Sequence, residues 1–376
     1  MPDPTIALLK DLVAIDSVNP SLVPGGAGEG AIAERIAADM RASGIDVRVS
    51  EAAPGRPNVV GLIDSGRPGP ALMLCGHSDT VGVEGMAAPF DPVARDGKLF
   101  GRGAQDMKGG VAAILAAARR LAQSPAGLKG RVIVAIVADE EYASLGADAA
   151  VKEWTADAAV VAEPTDLAIG IGHKGFEWVL VETHGIAAHG SRPDDGVDAI
   201  LMMGRVLAEL DARERAFLAG PRHPLLGRPS LHASLIDGGR ELSTYPDRCT
   251  LSIERRTVTG EGPGSLLREV ETILGRLRDA DPRFRAEARS SLERPPYLTP
   301  DGHPLPRQLR DSLGRATTVG AMSFWTDAAI LGGAGIASVV FGPGGAGLHG
   351  LEEYVRLDEV LACREALVTL ARKYCA

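Results

Sequence analysis

The chain has 376 residues, a formal net charge of −9, 45% hydrophobic residues and 24% charged residues. The length predicts two domains, and the balance of apolar and charged residues excludes a chain disordered throughout. The negative charge argues against a protein held on nucleic acid or on an anionic membrane by its overall field.

Met1-Pro2-Asp3-Pro4 has no basic stretch leading into an apolar one, so no signal peptide is read there. The densest apolar run, 132–138, is far shorter than the about 20 residues a membrane-spanning helix needs. Cys75, Cys249, Cys363 and Cys375 are scattered and form no Cys-x-x-Cys pair, which fits reduced thiols in a cytoplasmic protein.

In chain order, the pattern predicts an amphipathic helix over 6–15 and a second over 29–43. In the second, Ile32, Ile36 and Met40 recur every four residues and Gly44 follows as a C-cap. Apolar runs predict buried strands at 59–63, 71–75, 132–138 and 158–161, with an Ala- and Leu-rich helix over 108–123. This alternation predicts an α/β domain with a mainly parallel sheet flanked by helices. The middle of the chain predicts strand 176–184, helix 197–218, strands 230–236 and 248–254, helix 265–278 and strand 284–290. That β-α-β-β-α-β order is the order of a ferredoxin-like α+β unit. Pro295-Pro296 marks a junction, and strand 336–341 with helix 357–373 resumes the first pattern. The expectation is one domain over 1–174 and 294–376, interrupted by an inserted domain over 175–293.

Five short segments carry candidate chemistry. Gly76-His77-Ser78-Asp79-Thr80 follows a predicted strand, where α/β sheets place their sites. It reads either as a polar turn or as a metal-binding imidazole oriented by a carboxylate two residues on. Gly101-Arg102-Gly103-Ala104-Gln105-Asp106 precedes a helix, so Asp106 reads either as an N-cap or as a carboxylate bridging two cations. Asp139-Glu140-Glu141 closes another buried strand. It is an acidic surface loop, or it pairs a metal-binding acid with a general base. Glu163-Pro164-Thr165 and Leu348-His349-Gly350-Leu351-Glu352-Glu353 stand after two further strands. Each is weak alone; together they put His, Asp, Glu, Glu and His at strand ends of one sheet.

On these five segments and the inserted domain, the chain resembles the co-catalytic zinc amidohydrolases and peptidases. That family includes acetylornithine deacetylase, succinyl-diaminopimelate desuccinylase, aminoacylase and the glutamate carboxypeptidases. The resemblance implies two zinc ions per subunit, with cobalt or manganese compatible with the same donors. It implies that His77 and Glu163 bind one ion, Glu141 and His349 the other, and that Asp106 bridges them. Asp79 would orient His77, and Glu140 would be the general base for attack of a water on an amide carbonyl. It further implies a homodimer built through the inserted domain as a dimerisation and lid domain. His189, in Ala188-His189-Gly190-Ser191-Arg192-Pro193, would serve the partner's active site. Arg256 would pair with a substrate carboxylate, although a surface arginine on a strand reads equally well. Gly344 and Gly345 would let backbone approach the substrate. Ser243 stands where many members have an asparagine near the substrate carboxylate. Trp325-Thr326-Asp327-Ala328 matches a pocket-lining loop, and its Thr-Asp also suits a helix N-cap.

The expected activity is hydrolysis of small N-acyl amino acids, acetylornithine-like, with dipeptidase or carboxypeptidase activity as the alternative. A nucleotide-binding oxidoreductase is the rival from another class. Gly342-x-Gly344-x-x-Gly347 matches its glycine pattern, but His349 stands where the helix should begin. No Gly-x-Ser-x-Gly occurs, which disfavours a serine hydrolase.

Overall fold

The computed structural model describes residues 3–376; Met1 and Pro2, read above for a leader, lie outside the described residues. The first stretch runs α1 (Pro4–Val13), α2 (Gly30–Ala42), β1 (Asp46–Ala53), β2 (Arg56–Asp64), β3 (Ala71–His77), β4 (Val93–Arg95), β5 (Lys98–Phe100) and α3 (Gly109–Gln123). It continues with β6 (Arg131–Val137), α4 (Leu145–Glu153), β7 (Ala158–Val161) and β8 (Ile169–His173). The middle holds β9 (Gly175–His184), α5 (Ala199–Ala219), β10 (Ser230–Gly238), β11 (Arg248–Thr257), α6 (Ser265–Ala280) and β12 (Ala286–Arg294). The last stretch holds β13 (Tyr297–Leu298), α7 (Leu305–Leu313), β14 (Val319–Met322), α8 (Ala328–Gly333), β15 (Ala337–Val340), β16 (Gly345–Ala346), β17 (Tyr354–Arg356) and α9 (Leu357–Tyr374).

The chain divides into two compact units: Met1–Gly172 with Leu298–Met322 and Thr326–Ala376, and His173–Tyr297 with Ser323–Trp325. The first unit is built on a nine-stranded sheet ordered β1-β2-β6-β3-β7-β15-β8-β13, with β14 on β8. Its centre is parallel: β6 with β3, β3 with β7, and β7 with β15. Its flanks are antiparallel, β1 with β2, β2 with β6, and β15 with β8, so the mainly parallel expectation becomes a mixed sheet. Strands β3 and β6 are buried almost end to end because helices cover both faces, which explains their unbroken apolar runs. Leu72, Leu74, Val132 and Val134 pack with Ile32, Ile36 and Met40 of α2, Ile114 and Leu121 of α3, and Leu367 of α9 in one core.

The second unit has a four-stranded sheet ordered β10-β11-β9-β12, antiparallel throughout, the ferredoxin-like arrangement that the element order implies. Here β9 and β11 alternate buried and half-buried residues, the mark of a sheet covered on one face. Helices α5 and α6 cover that face through Met202, Met203, Val206, Leu210, Val270 and Leu274 on Val179, Val181, Leu251 and Ile253.

Candidate metal centre

The parallel strands β3, β6, β7 and β15 all present their carboxyl ends at one edge of the sheet, where doubly covered sheets place ligands. His77 is the last residue of β3, and its ring is buried. Its Nδ1 faces Asp79, 3.0 Å from the main-chain oxygen and 3.5 Å from Oδ1. A proton held on Nδ1 leaves Nε2 as a lone-pair donor. Asp79 is buried and accepts from Asn19 Nδ2 (2.7 Å), Glu140 N (3.1 Å) and Glu141 N (3.2 Å). One carboxylate thus fixes both the histidine and the main chain of the acidic loop after β6.

Around His77 Nε2 lie Asp106 Oδ1 at 3.3 Å, Glu163 Oε1 at 3.8 Å and Glu140 Oε2 at 3.9 Å. The other oxygen of Asp106 faces His349 Nε2 at 3.5 Å, and Glu141 Oε2 is 3.2 Å from the same nitrogen. Donor atoms of His77, Asp106 and Glu141 lie within 4.8 Å of one another, as do those of His77, Glu140 and Glu163. Every one of the five strand-end segments therefore contributes to one cluster. Asp106 is not an N-cap: the cap position of α3 is Lys108, and no side chain caps that helix.

The electrostatics of the cluster are those of crowded acids. Burial, then the neighbouring Glu163, pushes the Glu140 carboxyl well above the usual range, and Asp327 adds to the push. Burial likewise holds Glu163 high, and burial with Asp106 lifts Glu141 to about 7. Against the downward pull of burial, Glu163 and Asp106 hold the His77 imidazole well above its ordinary value. Hydrogen bonds to Asp106 and Glu141 raise His349 to about 10. Glu141 Oε1 and Glu163 Oε1 are buried and accept no hydrogen bond. Buried anionic oxygens left without a donor are costly, and cations are the groups that relieve them. Oxygen and imidazole donors in this number fit two divalent ions of the zinc, cobalt or manganese type.

The roles of several neighbouring residues are set by contacts that the sequence does not show. Asp139, first of the three acids, turns away with φ at 69° and joins a buried network. Its Oδ1 accepts from Arg56 Nη2 (2.8 Å) and Asn19 Nδ2 (3.0 Å), while Arg56 grips Glu29 through Nε and Nη2, both at 2.7 Å. Lys108 is wholly buried and donates to Ile15 O at 2.8 Å; burial lowers its ammonium to about 7. Asp327 is buried at the cap position of α8 without a side-chain capping bond; Thr326 Oγ1 accepts from Ala328 N instead.

His189 and Arg256 belong to the second unit. His189 is exposed, with Nδ1 2.8 Å from Ser191 Oγ, and its main chain bridges Thr244. Arg256 is half-buried on β11, ion-paired with Glu254 and placed over the Phe176 ring at 5.5 Å. Gly344 and Gly345 are in the first unit. A Cβ at Gly344 would run into Asp166 and Arg356, and one at Gly345 into the Tyr354 carbonyl, so both need glycine for the chain's own packing.

A family model described as peptidase family M20/M25/M40 matches residues 73–373. The chain belongs to this family. It is a peptidase or deacylase, an enzyme that hydrolyses amide bonds. The acetylornithine deacetylase of Myxococcus xanthus is 32% identical over 325 residues, covering 84% of this chain and 83% of that protein. Among solved structures, an M20 family metallo-carboxypeptidase from Sulfolobus solfataricus superposes with a TM-score of 0.82 at 17% identity, over 99% of each chain. A dinuclear metal-binding M20 peptidase from Bacillus subtilis does so with a TM-score of 0.75 at 16% identity, over 99% of this chain and 98% of its own. At these identities the two structures speak for the fold of this M20 hydrolase.

Proposed function

We propose that this M20 hydrolase is a two-zinc deacylase of small N-acyl amino acids, with an acetylornithine-like compound as the leading substrate. The carrying observation is Asp106, whose two oxygens face two different imidazoles, His77 at 3.3 Å and His349 at 3.5 Å. In this reading His77 and Glu163 hold one ion, Glu141 and His349 the other, and Asp106 both. Cobalt and manganese accept the same donors. The deacylase choice follows the 32% identity to an acetylornithine deacetylase.

When bound, the two ions would supply an acidified water and an electrophile for the amide carbonyl. Glu140 takes the proton of the attacking water on its carboxylate and delivers it to the departing nitrogen. Asp79 keeps His77 in the tautomer that offers Nε2. Arg256 pairs with the substrate carboxylate through two parallel hydrogen bonds. His189 holds the oxyanion in the partner subunit.

A homodimer through the second unit is supported by β10, an edge strand whose Leu235 and Ile236 are exposed at 73% and 56%. Free thiols at Cys75, Cys249, Cys363 and Cys375, all buried, suit a cytoplasmic setting. Among the described residues no helix is long and apolar enough to cross a membrane.

The test is Glu140→Gln assayed on N-acetyl and N-succinyl amino acids and on dipeptides. Turnover is expected to fall about 10²- to 10⁴-fold with both ions retained in the metal analysis. Wild-type turnover fastest on dipeptides would replace the deacylase reading by a peptidase one. Unchanged turnover in the variant would overturn the role of Glu140.

A further inference from the structure

Arg102 and Glu353 lie outside the set of candidate ligands, yet they join two of the loops that carry it. The Glu353 side chain is wholly buried, and each of its oxygens accepts two hydrogen bonds. Oε2 accepts from Arg102 Nη1 (2.7 Å) and Gly103 N (2.9 Å). Oε1 accepts from Gln105 N (2.8 Å) and from Asp106 N itself (3.0 Å). Arg102 then reaches back, with Nη2 donating to Gly350 O at 3.0 Å and Nε to Gly82 O at 3.1 Å. The main chain adds Gly101 N to Glu353 O at 3.1 Å. The segment ending in Asp106 is thereby fastened to the segment that begins at His349.

A buried ion pair is a poor source of stability, because removing two charges from water offsets most of their attraction. Its value here is directional: the donors and acceptors of this pair are used to fix where two loops stand. The two histidines of the cluster depend on such fixing to different degrees. His77 ends a buried strand of the main sheet and is held by Asp79. His349 sits between the short strands β16 and β17 with φ at 57°, and more than half of its side chain is exposed.

We propose that Arg102 and Glu353 are a positioning pair that sets the spacing between Asp106 and His349. The pair thereby governs affinity for the cation on the His349 side more strongly than on the other, because the ion shared by Asp106 with His77 and Glu163 keeps two ligands fixed at buried strand ends. This rests on the two-ion reading above. Removal of Glu353 strips one acceptor from four donors and frees the Asp106 main chain to move away from His349. Supports of this kind around metal ligands change affinity by about 10- to 100-fold.

The experiment titrates the metal-free full-length protein with Zn²⁺, and separately with Co²⁺, by calorimetry and by visible absorption of bound cobalt. Wild type, Glu353→Gln, Arg102→Lys and His349→Ala are compared, and melting of each metal-free protein is recorded. Wild type is expected to show two affinities, and His349→Ala marks which belongs to the His349 side. Glu353→Gln is expected to weaken that same affinity about 10- to 100-fold while the other, which keeps His77 and Glu163, falls by clearly less. Arg102→Lys, which retains a cation for Glu353 but loses the fork to Gly350, is expected to fall between and carries the test if Glu353→Gln does not fold. Equal weakening of both affinities, or a lower melting temperature with both affinities unchanged, overturns the positioning role. A single wild-type affinity overturns the two-ion reading first, which is a separable failure.

Discussion

Glu163 stands two residues beyond the end of β7 with one oxygen that accepts no hydrogen bond, in surroundings that already push its carboxyl well above the usual range. Residues of this kind were legible because a strand end followed by an acid or a histidine is a local pattern. The choice among Asp139, Glu140 and Glu141 was not local, and only the family resemblance made it. It depends on Asp139 turning toward Arg56, which lies 83 positions earlier in the chain. His173 shows the same principle away from the cluster. Its ring is buried 6.0 Å from the rings of Tyr297 and Trp325, and its Nε2 has no hydrogen-bond partner. Burial lowers its pKa to about 4, against the hydrogen bond to Lys174 O. The folded chain therefore keeps it neutral where the unfolded chain, near 6.5, takes a proton. Its contribution is present in full above pH 6.5 and is lost as pH falls toward 4, by up to about 3 kcal/mol. Urea unfolding at pH 7 and at pH 4.5 checks this: His173→Gln is expected to lose less stability between the two than wild type does.

At the scale of elements, the helix α3 starts where it does because two glycines allow it. A Cβ on Gly110 would stand 3.0 Å from the carbonyl carbon and Cβ of Ala162, and closer still to its oxygen. The helix can therefore begin flush against the residue that precedes Glu163. Alanine would gain up to about 1 kcal/mol of helix propensity, but the obstacle is backbone, which cannot rotate aside. Gly110→Ala is expected to cost about 1–3 kcal/mol net in thermal melting and to weaken cation binding through Glu163. An increase in melting temperature would contradict that account. The glycines were visible in the sequence, but the neighbour that demands them was not. Strand β1 was missed because its mostly exposed or half-buried residues form no apolar run. Helices α4 and α7 were also absent from the sequence reading, and each is only nine residues long.

At the scale of the molecule, an inserted unit was expected from the order of the elements, and the second compact unit of the fold runs His173–Tyr297 with Ser323–Trp325. Strand direction in the main sheet was not readable from apolar runs. An apolar run reports burial on both faces, whereas direction depends on which strands the connections bring together. Hence β2 lies antiparallel to β6 and β8 to β15. The proposed dimer belongs to this scale. Light scattering is expected to give wild type twice the mass of the chain, and Leu235→Lys on the edge strand is expected to shift it toward the monomer. If His189 serves the partner, that monomer loses turnover as His189→Ala does, with both ions still bound. A monomeric wild type with full turnover would remove both the dimer and the role of His189 across it.

The sequence by itself determined which residue types stand at the strand ends, the order in which helices and strands follow one another, and the chemistry open to a cluster of imidazoles and carboxylates. Those properties are local: they follow from periodicity over a few residues and from composition. Only the tertiary structure decided that the two oxygens of Asp106 face different histidines, that Asp139 looks away, and that Glu353 holds the loop of Asp106 from 247 positions along the chain. Contacts of that span leave no period in the sequence, because a hydrogen bond is satisfied by any chain path that delivers its donor and acceptor to the same place.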